Sequence, residues 1–219
     1  MIDGFRAIWR GLRHLNQAGY LLIWCNVAWL LLTLPVITAP AAWAGMSRLA
    51  WTLQRAPTAS FDDFWTGFKE NLVRGIPIAI ANAIYWIVFF LNWTAYAPAQ
   101  GLIFDLLRGV WLLTALLVIA VQLYVGPLYY AMLRPSLRGA FRNAFVMILI
   151  NPLFTLTLLI GAAIVAVLST LIPIAWLLLT GGTLAAISTA AVIDRLRAAG
   201  ILEAEDPASY MVDPSFDDV

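Results

Sequence analysis

"NVAWLLLTLPVITAPAAWAGMSRLAW", residues Asn26–Trp51, decides the topology of this chain. It is either one membrane-spanning helix that overruns or two helices meeting at a turn. Pro35 and Pro40 each lack a backbone donor, and each disfavours a helical conformation in the residue before it. Thr38 or Ala39 then begins a second helix, with Pro40 near its first turn. Charge placement points the same way. A single crossing over residues 19–53 would put Arg6, Arg10 and Arg13 on the side opposite Arg55, Lys69 and Arg74. With two crossings, twelve of the 13 basic residues share one side and only Arg108 lies on the other. The positive-inside rule makes the shared side cytoplasmic. Two helices are therefore expected. A re-entrant hairpin over 39–54 would look the same in sequence, so that alternative stays open.

Composition agrees with a membrane chain. The 219 residues are 63% hydrophobic and 11% charged, with a mean hydropathy of +0.87. Soluble domains run at about 45–50% apolar and about 25% charged. The expected fold is all-α, a polytopic transmembrane helical bundle of six spans with both termini cytoplasmic. The spans fall at about 17–35, 39–54, 75–93, 102–131, 143–168 and 171–193. Interfacial helices are expected at about 3–15, 59–74 and 136–142, which completes a membrane domain over 1–198. Residues 199–219 are acidic and Pro-broken, and read as a disordered cytoplasmic tail. The N-terminal segment lacks the short apolar core and small-residue cleavage site of a signal peptide, so the first span is expected to be retained.

The interfacial segments repeat. "FRAIWRGLRHL" (5–15) and "FDDFWTGFKENL" (61–72) align at a constant offset of 56 residues, pairing Phe5 with Phe61, Trp9 with Trp65, Gly11 with Gly67 and Arg13 with Lys69. Both carry apolar residues at helical spacing on one face. Ser60 and Asp63 are spaced for a capping box. "LRGAFRNAF" (137–145) is a weaker echo. The pattern is three units, each an amphipathic helix followed by a helical hairpin. The competing explanation is that aromatic and basic residues crowd any membrane interface.

Groups that do chemistry are scarce. One Cys (Cys25) and one His (His14) exclude a disulfide framework and argue against a metal site. No catalytic residue, metal ligand or cofactor motif is identified, and nothing resembles a nucleic-acid-binding surface. The polar residues inside the apolar runs are therefore the candidates, because burying them in lipid is costly. Asn26, Asn82, Gln122 and Asn151 are the candidate helix-contact or cavity residues. Asp105 and Arg108 are three apart on one helix face and form a candidate ion pair near the outer surface. Pro35 and Pro40 mark the turn, while Pro77 and Pro152 are candidate kinks. The small-residue runs "GGTLAAISTAA" (181–191) and "GAAIVA" (161–166) are candidate close-packing faces toward a partner.

Three stretches carry a family resemblance: "LLIWCNVAWLLLTLPVITAPAAWAGMSRL" (21–49), "FDDFWTGFKENLVRG" (61–75) and "LRGAFRNAFVMILINP" (137–152). Together they resemble the YesL-like family of bacterial membrane proteins. The matching positions are Asn26, Trp29, Pro35, Pro40 and Ala41, then Phe64, Trp65, Phe68 and Lys69. The resemblance implies a multi-pass protein of the bacterial plasma membrane with an accessory role in carbohydrate uptake, and it supplies no catalytic residues. Two functions follow as expectations. One is a non-enzymatic accessory subunit or regulator of an ABC-type uptake system, partnered by permease subunits or by itself. The other is a small transporter or channel in its own right. Polar side chains that pair with one another favour the first, and polar side chains that line a wet cavity favour the second.

Overall fold

Helix α1 (Ile2–Thr33) stops just before Pro35, and α2 (Ala39–Leu53) starts with Pro40 in its first turn. They belong to a computed structural model that describes residues 2–55 and 58–202. The turn between them is closed by the chain's own polar groups. The Thr33 hydroxyl donates to the Trp29 carbonyl at 2.7 Å, and the Thr38 hydroxyl donates to the Leu32 carbonyl. Val36 sits at φ 63°, a conformation a β-branched residue adopts only under constraint. The opening stretch is two helices.

Six more follow: α3 (Phe61–Tyr96), α4 (Leu102–Ala131), α5 (Leu137–Ile150), α6 (Pro152–Leu171), α7 (Ile174–Leu178) and α8 (Thr180–Ala198). The described residues form no strand. Helices α3, α4 and α6 are long and apolar enough to cross a membrane, the mark of an integral membrane protein. The apolar part of α1, Gly19–Thr33, is shorter.

The element boundaries depart from expectation at three places, each for a local reason. The interfacial segment 59–74 and the span 75–93 are one unbroken helix, α3, with Pro77 inside it. At about 1.5 Å per residue its 36 residues reach about 54 Å, so its last 21 alone cover a hydrocarbon core of about 30 Å. The span expected over 143–168 is broken at Asn151 (φ −127°, ψ 59°). Helix α5 runs on to Ile150, and Pro152, which needs no N–H partner, opens α6. The span expected over 171–193 is broken at Leu179 into α7 and α8. The first boundary, between the amphipathic helix 3–15 and the span 17–35, falls at Gly19, where α1 kinks at φ 48°, ψ −131°. That backbone conformation suits glycine. The tail beyond Leu202 and the side chain of His14 lie outside the described residues.

Helix α8 is the centre of the bundle. From Thr180 to Ile193 it is buried throughout, with Leu184 half-buried. It packs on α1, α2, α4 and α6. Thr180, Thr183, Ser188 and Thr189 all lie in this enclosed stretch, small side chains that let neighbouring helices approach. Its glycines admit α1: a Cβ on Gly181 would lie 2.5 Å from the Trp29 ring, and one on Gly182 would lie 2.6 Å from Leu22. The run 181–191 is therefore used inside this chain and offers no face to a partner. In the other run, Gly161 and Ala162 are buried while Ala163 and Ile164 are exposed.

Helix α2 is wedged between α3 and α4. A Cβ on Gly45 would meet the Phe64 carbonyl at 2.7 Å, and one on Gly126 would meet Ser47. Arg48 and Glu70 pair at 2.9 Å across the α2–α3 contact. The Ser60–Asp63 capping box forms at the start of α3, where the Asp63 carboxylate accepts from the Ser60 N–H at 2.9 Å.

Candidate functional site

A cavity of about 250 Å³ lies where α2, α3 and α4 meet the end of α1 and the start of α5. Its walls come from the close packing just described. Pro40 and Trp43 of α2 face Asn71, Gly75 and Asn82 of α3 and Gln122, Tyr129 and Tyr130 of α4. Gly75 keeps that wall close, since a Cβ there would lie 3.2 Å from the Ala41 nitrogen.

The polar groups fall into two clusters. In the first, Asn82 Nδ2 donates to Gln122 Oε1 at 3.4 Å and Gln122 Nε2 donates to Asn82 Oδ1 at 3.3 Å. Trp43 Nε1 donates to the Gln122 carbonyl at 3.0 Å, tying α2 to the same point. In the second, Asn71 Nδ2 donates to the Gly67 carbonyl at 2.8 Å and to the Tyr130 hydroxyl at 3.1 Å. Arg74, itself exposed, donates to the Tyr129 hydroxyl at 3.0 Å. Among the described residues no Asp, Glu, Lys, Arg or His lines the cavity. Its walls offer amides, phenols and aromatic rings.

Of the four amides singled out from sequence, two meet here and two do not. Asn82 and Gln122 are the first cluster. Asn26 is fully buried elsewhere and bridges the break between α7 and α8. Its Nδ2 donates to the Trp176 and Leu177 carbonyls, both at 2.8 Å, and its Oδ1 accepts from the Gly182 N–H at 3.0 Å. A broken helix exposes backbone groups that lipid cannot satisfy, and one side chain here satisfies three of them. The Thr180 hydroxyl completes the junction, donating to the Ala175 carbonyl at 2.9 Å and sharing a hydrogen bond with Ser169 at 2.7 Å. Asn151 reaches no other helix: its amide turns back to the Met147 carbonyl at 3.5 Å. Asp105 and Arg108 do pair, at 2.5 Å, near the start of α4. Among the described prolines, Pro40 alone touches the cavity.

Sequence reasoning missed Asn71, Tyr129 and Tyr130. Asn71 falls in the segment 59–74, expected as an interfacial helix, where an amide is ordinary. The signal available was its spacing: Gly67, Asn71 and Gly75 fall at i, i+4 and i+8 and share a face. The tyrosine pair closes a span and reads as an ordinary interfacial aromatic belt.

Comparison with known proteins adds one match. No curated protein matches the chain, and no solved structure does. Residues 22–93, which cover the apolar part of α1, all of α2 and most of α3, match a family model described as a protein of unknown function, DUF624.

Proposed function

We propose that this chain is a DUF624 family member of the YesL-like type, acting as a non-enzymatic accessory subunit or regulator of an ABC-type carbohydrate uptake system in the bacterial plasma membrane. The observation that carries this reading is the pairing of Asn82 with Gln122. Asn82 and Gln122 are engaged with one another, and Asn26 with the backbone of α7 and α8, which is how a helical subunit holds its own bundle together. In this reading the six crossings are the apolar part of α1, then α2, α3, α4, α6 and α8, with both termini in the cytoplasm. The distribution of basic residues supports that orientation.

The accessory reading predicts a stable partner. A C-terminally tagged chain, gently solubilised from its native host, should recover a permease or its ATPase at fixed stoichiometry by mass spectrometry. Recovery of the protein alone, or only as a homo-oligomer, would overturn it. The cavity supports a second reading, a small transporter in its own right, because the paired amides also line a space large enough for a small solute. Solute uptake into liposomes containing this protein alone would favour that second reading.

A further inference from the structure

We infer that the cavity between α2, α3 and α4 is a binding site for a neutral polyhydroxylated group about the size of one hexose. The size follows from the volume. About 250 Å³ falls below the roughly 300–1,000 Å³ of pockets that take drug-sized ligands. The neutrality follows from the walls. Among the described residues no ionised side chain lines them, Arg74 reaching the space only through the Tyr129 hydroxyl, and burying an unpaired charge there would be far more costly than burying a hydroxyl.

Hydroxyl recognition follows from bonding capacity left unused. A phenol can accept and donate at once, and an amide oxygen has two lone pairs. The Tyr129 and Tyr130 hydroxyls each accept one bond, from Arg74 and Asn71 respectively. Neither phenol proton finds an acceptor among the described residues, and Asn71 Oδ1 finds no donor there. Two donors and one acceptor are thus gathered at one end of the cavity, and the Asn82–Gln122 pair stands at another. A molecule bearing several hydroxyls on one side and C–H groups on the other matches these groups and the aromatic rings between them. Such a group can arrive as a free sugar or as the head of a glycolipid. The site deepens the solute-uptake reading, on which its biological meaning rests, while the binding itself is testable on the lone protein.

The test uses the full chain in nanodiscs. Binding is followed by tryptophan fluorescence, to which Trp43 in the wall contributes. The probes are a panel of neutral hexoses (glucose, galactose, mannose and fructose), glucuronate as the charged analogue, and octyl glucoside below its micelle concentration. At least one neutral hexose or the glucoside should saturate, and glucuronate should bind at least tenfold more weakly. Response to a free hexose identifies a free sugar as the source; response to the glucoside alone identifies a lipid head group. Tyr130→Phe and Tyr129→Phe should each weaken binding about tenfold with the thermal midpoint held within a few degrees. No saturation by any neutral probe, equal binding of glucuronate, or unchanged affinity in both phenylalanine variants would overturn the inference. Failure to recover a permease would overturn the accessory reading and leave this one standing.

Discussion

Residues 5–33 and 61–89 follow the same plan at an offset of 56 residues and end in different structures. Each opens with an amphipathic helix, and the paired glycines Gly11 and Gly67 both mark a close helix contact. A Cβ on Gly11 would lie 2.9 Å from the Ala186 carbonyl of α8, and one on Gly67 would lie 3.0 Å from Gly45 of α2. The structure extends the correspondence past the aromatic motif. Gly19 corresponds to Gly75, and Asn26 to Asn82. Yet α1 kinks at Gly19 while α3 continues through Gly75 as one helix. Asn26 bridges a broken helix, and Asn82 pairs with a side chain. The difference lies in the neighbours. A Cβ added at Gly19 would meet nothing within 4 Å, whereas one at Gly75 would press on Pro40 and Ala41. Sequence equivalence sets which residue is available, and packing sets its task.

The amides give the largest test of that contrast. Replacing Asn26 with Leu strands two carbonyls and one N–H in the interior, at about 1–3 kcal/mol for each buried group left unpaired. The expected loss is at least about 3 kcal/mol, read as a large fall in thermal midpoint in detergent. Replacing Asn82 with Leu removes one interhelical contact of a half-buried side chain, worth roughly 0.6–2 kcal/mol. Equal losses would break the comparison, because they would mean that the two asparagines carry the same load.

The glycines come next. Alanine at Gly19 must adopt φ near 48°, which costs of the order of 1–3 kcal/mol unless the helix straightens. Alanine at Gly75 has helical dihedrals and gains up to about 1 kcal/mol of helix propensity, against a displacement of a few tenths of an ångström at Ala41. Gly19→Ala should therefore destabilise and Gly75→Ala should be close to neutral. Spin labels at Trp9→Cys and Leu31→Cys separate strain from straightening. An unchanged distance distribution in Gly19→Ala means that the kink persists under strain; a longer distance means that α1 has become a copy of α3.

This contrast also shows what was legible in the sequence. The Pro35–Pro40 turn was, because proline acts on its own neighbours and needs no tertiary context. The capping box at Ser60 was legible for the same reason. The breaks at Asn151 and Leu179 were not. Apolar content continues across both, and Leu179 carries no breaking residue; its break is held by Asn26, more than 150 positions away in sequence. Half of the candidate site was legible, since Asn82 and Gln122 are polar residues in apolar runs. Asn71 and the tyrosines were not, because residues that are ordinary at an interface become a site only when α2 closes over them.

The smallest expected effect sharpens the comparison at its far end. The end of α3 and the start of α4 carry exposed apolar side chains at Phe90, Leu91, Leu102, Ile103 and Leu106. The Asp105–Arg108 pair sits there with the aspartate side chain 66% exposed, in contrast to the enclosed bridge made by Asn26. Exposed ion pairs of this kind contribute about 0.2–1 kcal/mol. Asp105→Asn keeps a group able to accept from Arg108 and should move the thermal midpoint by no more than about a degree, with hexose binding at the cavity unchanged. A larger loss would mean that the outer hairpin is coupled to the bundle through this pair. The contrast between a first unit packed on α8 and a second unit with an exposed α3–α4 end would then fail.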